Sequence, residues 1–309
     1  MEARSLLVCV HRREHVRKLL DIAHVNMCLT MMREETRGLV LRMQIETVKT
    51  DTFTMDYFKF GQGERTLVII PGLSVQSVMI SANAVASAYQ PLTNEFTIYV
   101  FDRRKELPAS YSVREMARDT AEAFQALGLR QAAVFGASQG GMIAMTMAIE
   151  QPDLVQELVL CSTAARMTEA RYQAVDHWVK LAQNGDAKGL YLAFGEAIFT
   201  RETFEQLREL LVETAKSVTD EDLSRFIILA EGLKDFDVLS ELEKIACPVF
   251  VVGSTDDRVL GADATDEIAE HLNNKPGFAL HMYEGFGHVA YDTAPDFKER
   301  MLRFLVTAN

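Results

Sequence analysis

Hydrophobic positions along the chain follow two different periods, and the alternation between these periods predicts the fold. Residues 44–49 and 54–60 alternate apolar and polar side chains around a short polar turn, which indicates an antiparallel hairpin. Continuous apolar runs at Thr66–Ile70, Phe96–Phe101 and Ala132–Phe135 are typical of strands that are buried on both faces. Segments with helical spacing separate the later strands, so the chain predicts an α/β fold with a mostly parallel central sheet and helices on both faces.

The alternation stops after the strand Leu158–Cys161. Four segments with helical periodicity follow, and strand character resumes only at Pro248–Gly253. A helical insertion between two strands of one sheet predicts a lid over the carboxyl edge of that sheet. The expected organisation is an N-terminal extension of loose order (1–42), an α/β core (43–164 and 241–309) and a helical lid (165–240).

Composition narrows the class of protein. The chain has 309 residues, of which 48% are hydrophobic and 25% are charged, as expected for a soluble globular protein. Its net charge of −12 argues against a nucleic-acid partner and against an anionic membrane surface. No apolar run is long enough to span a bilayer, and the apolar run at residues 6–10 is too short for a secretory signal. We therefore expect a cytoplasmic protein with a small-molecule substrate; the oligomeric state stays open.

The four cysteines show no spacing typical of a metal site. Cys9, Cys28, Cys161 and Cys247 lie far apart in the sequence, with no Cys-x-x-Cys pair. We interpret them as reduced thiols, and we expect neither a metal nor another cofactor.

The most informative motif is Gly136-Ala137-Ser138-Gln139-Gly140, which follows a predicted strand and precedes a predicted helix. A Gly-x-Ser-x-Gly sequence in this context is typical of a nucleophile elbow, a sharp turn that exposes the serine hydroxyl above the sheet. Only small residues fit beside such a turn. Ser138 is therefore the candidate nucleophile, and the backbone N–H of Gln139 is a candidate oxyanion donor.

A serine nucleophile needs a base that accepts its proton and an acid that orients the base. Two aspartates, Asp256 and Asp257, follow the predicted strand at 248–253, and His288 follows the next predicted strand in a glycine-rich loop. The chain order serine, acid, histidine is the order expected on a sheet of this kind. We predict His288 as the base and favour Asp256 as the acid because of its spacing, with Asp257 as the alternative.

A second oxyanion donor is expected in the loop after the strand that ends at Ile70. This loop reads Pro71-Gly72-Leu73-Ser74, and the glycine lets the backbone approach the nucleophile closely. We predict the N–H of Leu73 as the donor. Ser74 is an alternative donor, but we favour a role for it as a cap of the following turn.

Together these residues resemble the α/β-hydrolase superfamily from about residue 43 to the C-terminus. The capped carboxylesterases and the hydrolases that cleave ring-fission products are the most similar members. The resemblance implies a serine hydrolase, because the dehalogenases and epoxide hydrolases of this fold carry Asp at the position of Ser138. Two motifs differ: Pro71-Gly72 stands where the superfamily often has His-Gly, and Arg103-Arg104-Lys105 replaces a glycine-rich loop. We interpret the basic tripeptide as a solvated surface loop rather than as a subsite for an anionic substrate.

Three hypotheses for the function follow. The leading one is an ester or related acyl hydrolase that forms an acyl-enzyme on Ser138. The alternative is a carbon–carbon bond hydrolase or lyase that uses the same three residues. A non-catalytic binding or receptor protein is the third, and it is disfavoured because no member of the triad is missing.

Overall fold

The structure is a computed structural model that describes residues 43–307, and its centre is one eight-stranded sheet. The predicted N-terminal extension, Cys9 and Cys28 lie outside the described residues. In chain order the strands are β1 (Ile45–Lys49), β2 (Thr54–Gly61), β3 (Arg65–Ile70), β4 (Phe96–Arg104), β5 (Ala132–Ala137), β6 (Val155–Cys161), β7 (Val249–Ser254) and β8 (Phe278–Tyr283). Their order across the sheet is β1-β2-β4-β3-β5-β6-β7-β8.

Ten α-helices surround or extend this sheet within the described residues. They are α1 (Ala82–Ala88), α2 (Val113–Ala126), α3 (Gln139–Glu150), α4 (Glu169–Gln183), α5 (Ala187–Ile198), α6 (Arg201–Ala215), α7 (Asp220–Glu231), α8 (Ala262–Leu272), α9 (Ala290–Thr293) and α10 (Phe297–Thr307). In residues 43–307, none of these helices is long and apolar enough to cross a membrane.

The pairing of the strands confirms the predicted hairpin and the mostly parallel sheet. β1 pairs with β2, and β2 with β4, in antiparallel orientation, whereas every pair from β4 to β8 across the sheet is parallel. Ile70 at the end of β3 pairs with Gly136, and Cys161 at the end of β6 pairs with Ala137 and Val252. The carboxyl ends of these strands therefore meet at one edge of the sheet, where ligands bind in open α/β folds.

The sheet is covered on both faces, as its continuous apolar strands require. All six residues of β5 are buried, and successive side chains alternate between two hydrophobic clusters. Val134 packs into the larger cluster with residues of α2, α3 and α8, whereas Phe135 packs into the smaller one with residues of α1 and α10. Helix α3 is buried along most of its length, which holds the residues that precede it in a fixed place.

Four helices, α4–α7, lie between β6 and β7, where the sequence predicts the helical insertion. Buried Arg171 of α4 ties this insertion to the core, because its guanidinium binds Asp263 at 2.6 Å and Glu267 at 2.8 Å on α8. A backbone hydrogen bond from Met167 to Phe236 closes the two ends of the insertion on each other. The insertion is thereby attached beside the carboxyl edge of the sheet.

β4 is longer than the sequence indicates. The prediction ends the strand at Phe101, but the structure continues it to Arg104, which pairs with Met55 of β2. The interpretation of Arg103 as part of a solvated loop is therefore wrong. The antiparallel neighbour supplies backbone hydrogen bonds that carry the strand through charged residues, and one of these, Arg103, is buried.

Candidate active site

Ser138 lies at the sharp turn between β5 and α3. Its backbone has φ 52° and ψ −121°, a conformation that costs free energy for any residue with a Cβ. The Ser138 N–H donates to the carbonyl of Cys161 at 3.0 Å, and its own carbonyl accepts from Thr163 Oγ1 at 2.7 Å and from the Gly141 N–H. These contacts hold the strained turn and leave Ser138 partly buried at the carboxyl edge of the sheet.

The glycines of the motif are needed for close packing. A Cβ on Gly140 would lie 1.9 Å from the carbonyl oxygen of Ile70, and a Cβ on Gly136 would lie 2.4 Å from the carbonyl oxygen of Gly140. Both distances are far below van der Waals contact, so neither position has space for a side chain. The elbow therefore depends on the close approach of the start of α3 to the end of β3.

Three side chains form a chain of two hydrogen bonds. His288 Nε2 lies 3.0 Å from Ser138 Oγ, and His288 Nδ1 lies 2.8 Å from Asp257 Oδ2. The side chains of His288 and Asp257 are each only 4% exposed, so water is largely excluded from their contact. A proton on Nδ1 that points to the carboxylate leaves Nε2 free to accept the proton of the Ser138 hydroxyl.

The preference for Asp256 as the acid is corrected by this geometry, which brings Asp257 to the histidine. The Asp256 carboxylate instead accepts from Ser254 Oγ at 2.8 Å and from the N–H groups of Gly285 and Gly287 at 2.9 and 3.1 Å. It thereby ties the end of β7 to the loop that carries His288. Spacing along the sequence does not reveal which carboxylate reaches the histidine, because this depends on the turn after β7, where the Asp257 N–H donates to the Ser254 carbonyl.

Both aspartates are held in their charged form. Burial raises the pKa of the Asp257 carboxyl, but the adjacent His288 and the N–H groups of Leu260 and Val259 outweigh burial and lower the pKa below its usual range. The pKa of Asp256 is also lowered, because the hydrogen bonds from Ser254 and from backbone N–H groups exceed the effect of burial. At neutral pH both side chains are carboxylates.

The two predicted oxyanion donors flank Ser138. A Cβ on Gly72 would lie 3.1 Å from the Cβ of Ser138, so the loop after β3 passes directly beside the serine. Within residues 43–307, the backbone N–H groups of Leu73 and Gln139 donate to no protein group. Ser74 does not cap the following turn: its hydroxyl donates to the Gln76 carbonyl at 2.7 Å, and Ser77 caps the next 3-10 helix instead.

A small cavity with a volume of about 50 Å³ opens beside Ser138 and His288. Among the described residues that line it, there is no Lys, Arg, Asp or Glu side chain. Apart from the two residues above, the lining consists of Gly72, Leu73, Met142, Met167, Val175, Trp178, Phe194, Ile198, Leu233, Val259, Leu260, Val289 and Tyr291.

The helical insertion supplies much of this lining, including Trp178 and Phe194, whose rings lie 4.6 Å apart. Sequence reasoning gave no means to separate these two rings from the other aromatic residues of the insertion. Phe226, for example, has the same helical spacing but is fully buried. Gly72 and Leu73 belong to the loop that the sequence marks as the predicted source of an oxyanion donor. The other lining residues are ordinary apolar positions, and no sequence signal marks them.

The family model described as "alpha/beta hydrolase fold" matches residues 65–295 of this chain. This match covers more than half of the chain and spans the elbow, both aspartates and His288. The protein therefore belongs to the α/β-hydrolase family.

Relatives of this chain are named as hydrolases of two kinds, carbamate hydrolases and an enol-lactonase. The chain is 27% identical over 254 residues to the "Putative carbamate hydrolase RutD" of Caulobacter sp. (strain K31), with 76% of this chain and 92% of that protein covered. It is 22% identical over 235 residues to "3-oxoadipate enol-lactonase 2" of Acinetobacter baylyi, with 74% and 85% covered. The names of these relatives and the fold support a hydrolytic function for this chain.

Solved structures agree on the fold. MGS-M2, an alpha/beta hydrolase enzyme from a Medee basin deep-sea metagenome library, superposes with a TM-score of 0.76 at 20% identity and covers 85% of this chain and 98% of its own. The enol-lactonase from Burkholderia xenovorans LB400 gives a TM-score of 0.72 at 19% identity, with 84% and 100% covered. At these identities the likeness concerns the fold alone.

The close packing at Gly140 predicts that Gly140→Ala destabilises the protein by about 3 kcal/mol or more, because a new methyl group would meet the backbone of Ile70. Gly128→Ala is the matched control. Gly128 has φ 72° but no atom within 4 Å of an added Cβ, so only the conformational cost of about 1 kcal/mol is expected. Urea unfolding of both variants measures the difference, and equal losses of stability would contradict the described packing.

Proposed function

We propose that this protein is a serine hydrolase that cleaves an ester, or a related acyl bond, of a small molecule. The observation that carries this proposal is the pair of hydrogen bonds that joins Ser138, His288 and Asp257 at the mouth of an apolar cavity. A serine hydroxyl becomes an effective nucleophile when an oriented imidazole accepts its proton. The contacts of His288 on both ring nitrogens are those that this role requires.

The first half of the proposed reaction acylates Ser138. Its Oγ attacks the carbonyl carbon of the substrate, and the hydroxyl proton moves to His288 Nε2. The carbon–oxygen bond to the alcohol then breaks, and the alcohol leaves with the proton from Nε2. Asp257, as a carboxylate, stabilises the imidazolium that exists between these two transfers.

The second half releases the acid. Water attacks the acyl carbon and gives one proton to His288 Nε2, and the bond between the carbon and Ser138 Oγ breaks. The same proton returns to Oγ, which regenerates the free serine and liberates the carboxylic acid. In both halves the carbonyl oxygen becomes negatively charged, and the N–H groups of Leu73 and Gln139 are the proposed donors that stabilise it.

The cavity supports an acyl group that is short and uncharged. Its lining is apolar, and burial of a charged group there without a partner would be strongly unfavourable. The basic residues after Phe101 do not provide such a partner, because Arg103 points to Pro71 and Gln139, and Lys105 binds Asp56. An anionic subsite built from this tripeptide is therefore not part of the proposal.

The names of the relatives favour acyl chemistry over carbon–carbon cleavage. Carbamates and lactones are both cleaved at a bond between a carbonyl carbon and a heteroatom, which is the chemistry proposed above. A carbon–carbon hydrolase or lyase remains the alternative. A binding or receptor role is disfavoured because the three side chains are present and in contact.

Ser138→Ala should lower the turnover of a p-nitrophenyl ester of a short acid by at least about 10³-fold, because among residues 43–307 no other hydroxyl contacts His288 Nε2. A fluorophosphonate probe should label the wild-type protein at Ser138 and leave the variant unlabelled. Ser74→Ala is the matched control, since the Ser74 hydroxyl donates to the Gln76 carbonyl, has no other partner in the part of the chain that the structure describes, and should be dispensable. Normal turnover by a folded Ser138→Ala variant would exclude the proposed function.

Asp257→Asn and Asp256→Asn should separate the two aspartates. Asparagine at 257 can donate to Nδ1, which places the imidazole proton on Nε2 and blocks acceptance from the serine, so kcat should fall by about 10³- to 10⁴-fold. Asparagine at 256 removes only part of the loop anchor and should cost about 1 kcal/mol of stability with a less than tenfold change in kcat. Steady-state kinetics together with thermal unfolding tests both expectations. A larger kcat loss at 256 than at 257 would reverse the assignment.

The apolar cavity predicts selectivity against a charged acyl group of equal length. The kcat/KM for p-nitrophenyl butyrate should exceed that for the p-nitrophenyl monoester of succinic acid by at least about 100-fold, because the latter would bury an unpartnered carboxylate. Both substrates have the same leaving group and four-carbon chain, so the comparison isolates the charge. Equal values would show that the acyl group does not enter this cavity.

A further inference from the structure

Arg103 carries a positive charge into the interior beside the candidate active site. Its side chain is only 3% exposed, although it lies in a run of three basic residues at the end of β4. The Arg103 Nη2 group donates to the carbonyl oxygen of Pro71 at 2.7 Å and to Gln139 Oε1 at 3.1 Å. A single nitrogen therefore bridges the loop after β3 and the first residue of α3.

This guanidinium is buried without an ion pair. Within residues 43–307 no carboxylate oxygen lies within 4 Å of it, and its Nε has no hydrogen-bond partner. Burial lowers the pKa of Arg103 to about 10, so the group keeps its charge at neutral pH. Burying a charge that is incompletely paired opposes folding, and a pair of neutral acceptors does not fully offset that cost.

Both acceptors belong to segments that carry the proposed oxyanion donors. Pro71 lies two residues before Leu73, and Gln139 supplies the other backbone N–H itself. The position of an oxyanion donor matters to within a fraction of an ångström, because a displaced donor no longer reaches the developing charge. A group that binds both segments fixes the distance between the two donors.

Further hydrogen bonds fix Gln139, which binds Arg103, and Asp102, which precedes Arg103 on β4. Gln139 Nε2 donates to the carbonyl of Leu229 on α7 at 2.7 Å, so the Gln139 side chain is fixed at both of its polar atoms. Asp102 accepts from Ser77 Oγ at 2.5 Å and from Arg225 of α7 at 2.9 Å. The loop after β3, the end of β4 and the helical insertion thus form one connected network.

We propose that Arg103 is a positioning residue that sets the geometry of the oxyanion hole by clamping Pro71 to the side chain of Gln139. This inference rests on the proposed function, because it assigns a role in the same reaction. Arg103 itself does not touch the substrate. Its removal should therefore lower the rate of the chemical step and leave the binding of the substrate ground state nearly unchanged.

The test uses Arg103→Met, which keeps the volume of the side chain but removes its donors, and Arg103→Lys, which keeps a charge and a single donor group. Arg104→Met is the matched control. Arg104 is the next residue on β4, and its side chain contacts Thr52, Phe53, Glu106 and Asp119, away from the elbow. The measurements are kcat and KM for p-nitrophenyl butyrate and the inhibition constant of a trifluoromethyl ketone, whose adduct with serine resembles the tetrahedral intermediate.

We expect Arg103→Met to lower kcat by about 10- to 100-fold with less than a threefold change in KM. The trifluoromethyl ketone should bind more weakly by a similar factor. Arg103→Lys should recover part of both losses, and Arg104→Met should resemble the wild type. If Arg103→Met does not fold, Gln139→Met serves in its place, because it removes the Gln139 side of the clamp, together with the bond to Leu229, and keeps both the guanidinium and the backbone N–H.

Loss of thermal stability with unchanged kcat and unchanged inhibitor binding would overturn the inference and leave Arg103 with a purely structural role. An equal loss of kcat in Arg104→Met would overturn it as well. Failure of the proposed function is recognised on the wild-type protein instead. A wild-type protein that neither hydrolyses the ester nor reacts with the fluorophosphonate at Ser138 is not a serine hydrolase. In that case the inference about Arg103 fails as well.

Discussion

The candidate site depends on one steric constraint, the close approach of the start of α3 to the carboxyl end of β3. At this point the carbonyl oxygen of Ile70 occupies the space that a side chain on Gly140 would need. At this approach Ser138 has a backbone conformation with positive φ, and its side chain contacts His288 Nε2. The burial of α3 against the sheet compensates the local strain, because the helix cannot move away without opening the core.

The parts of the site that the sequence predicts are those whose geometry is local. The elbow motif, the parallel strands and the loop position of His288 each follow from a few adjacent residues. The choice between Asp256 and Asp257 is different, because it depends on where β7 ends and how the next turn is wound. The path of the chain after Ser254 decides which carboxylate faces the histidine, and strand ends are the least predictable feature of a sequence pattern.

The environment of Arg103 was not predictable for a related reason. Its two acceptors lie 32 and 36 residues away in the chain, and its burial requires β4 to continue beyond its apolar run. A basic tripeptide is usually a solvated segment, and only the antiparallel pairing with β2 and the packing of α7 turn this one inward. Cavity residues such as Trp178 are equally dependent on tertiary packing, since their spacing on a helix is that of any buried residue.

The helical insertion lines the cavity and is also hydrogen-bonded to two residues of the candidate site. The backbone N–H of His288 donates to the carbonyl of Ile198 at the end of α5. The side-chain Nε2 of Gln139 donates to the carbonyl of Leu229 on α7. The proposed base and one proposed oxyanion donor are therefore both attached to the insertion by a backbone carbonyl. Any displacement of α5 or α7 that enlarges the cavity would also move these two groups. Changes in the insertion that alter substrate size are for this reason expected to alter the chemical step as well.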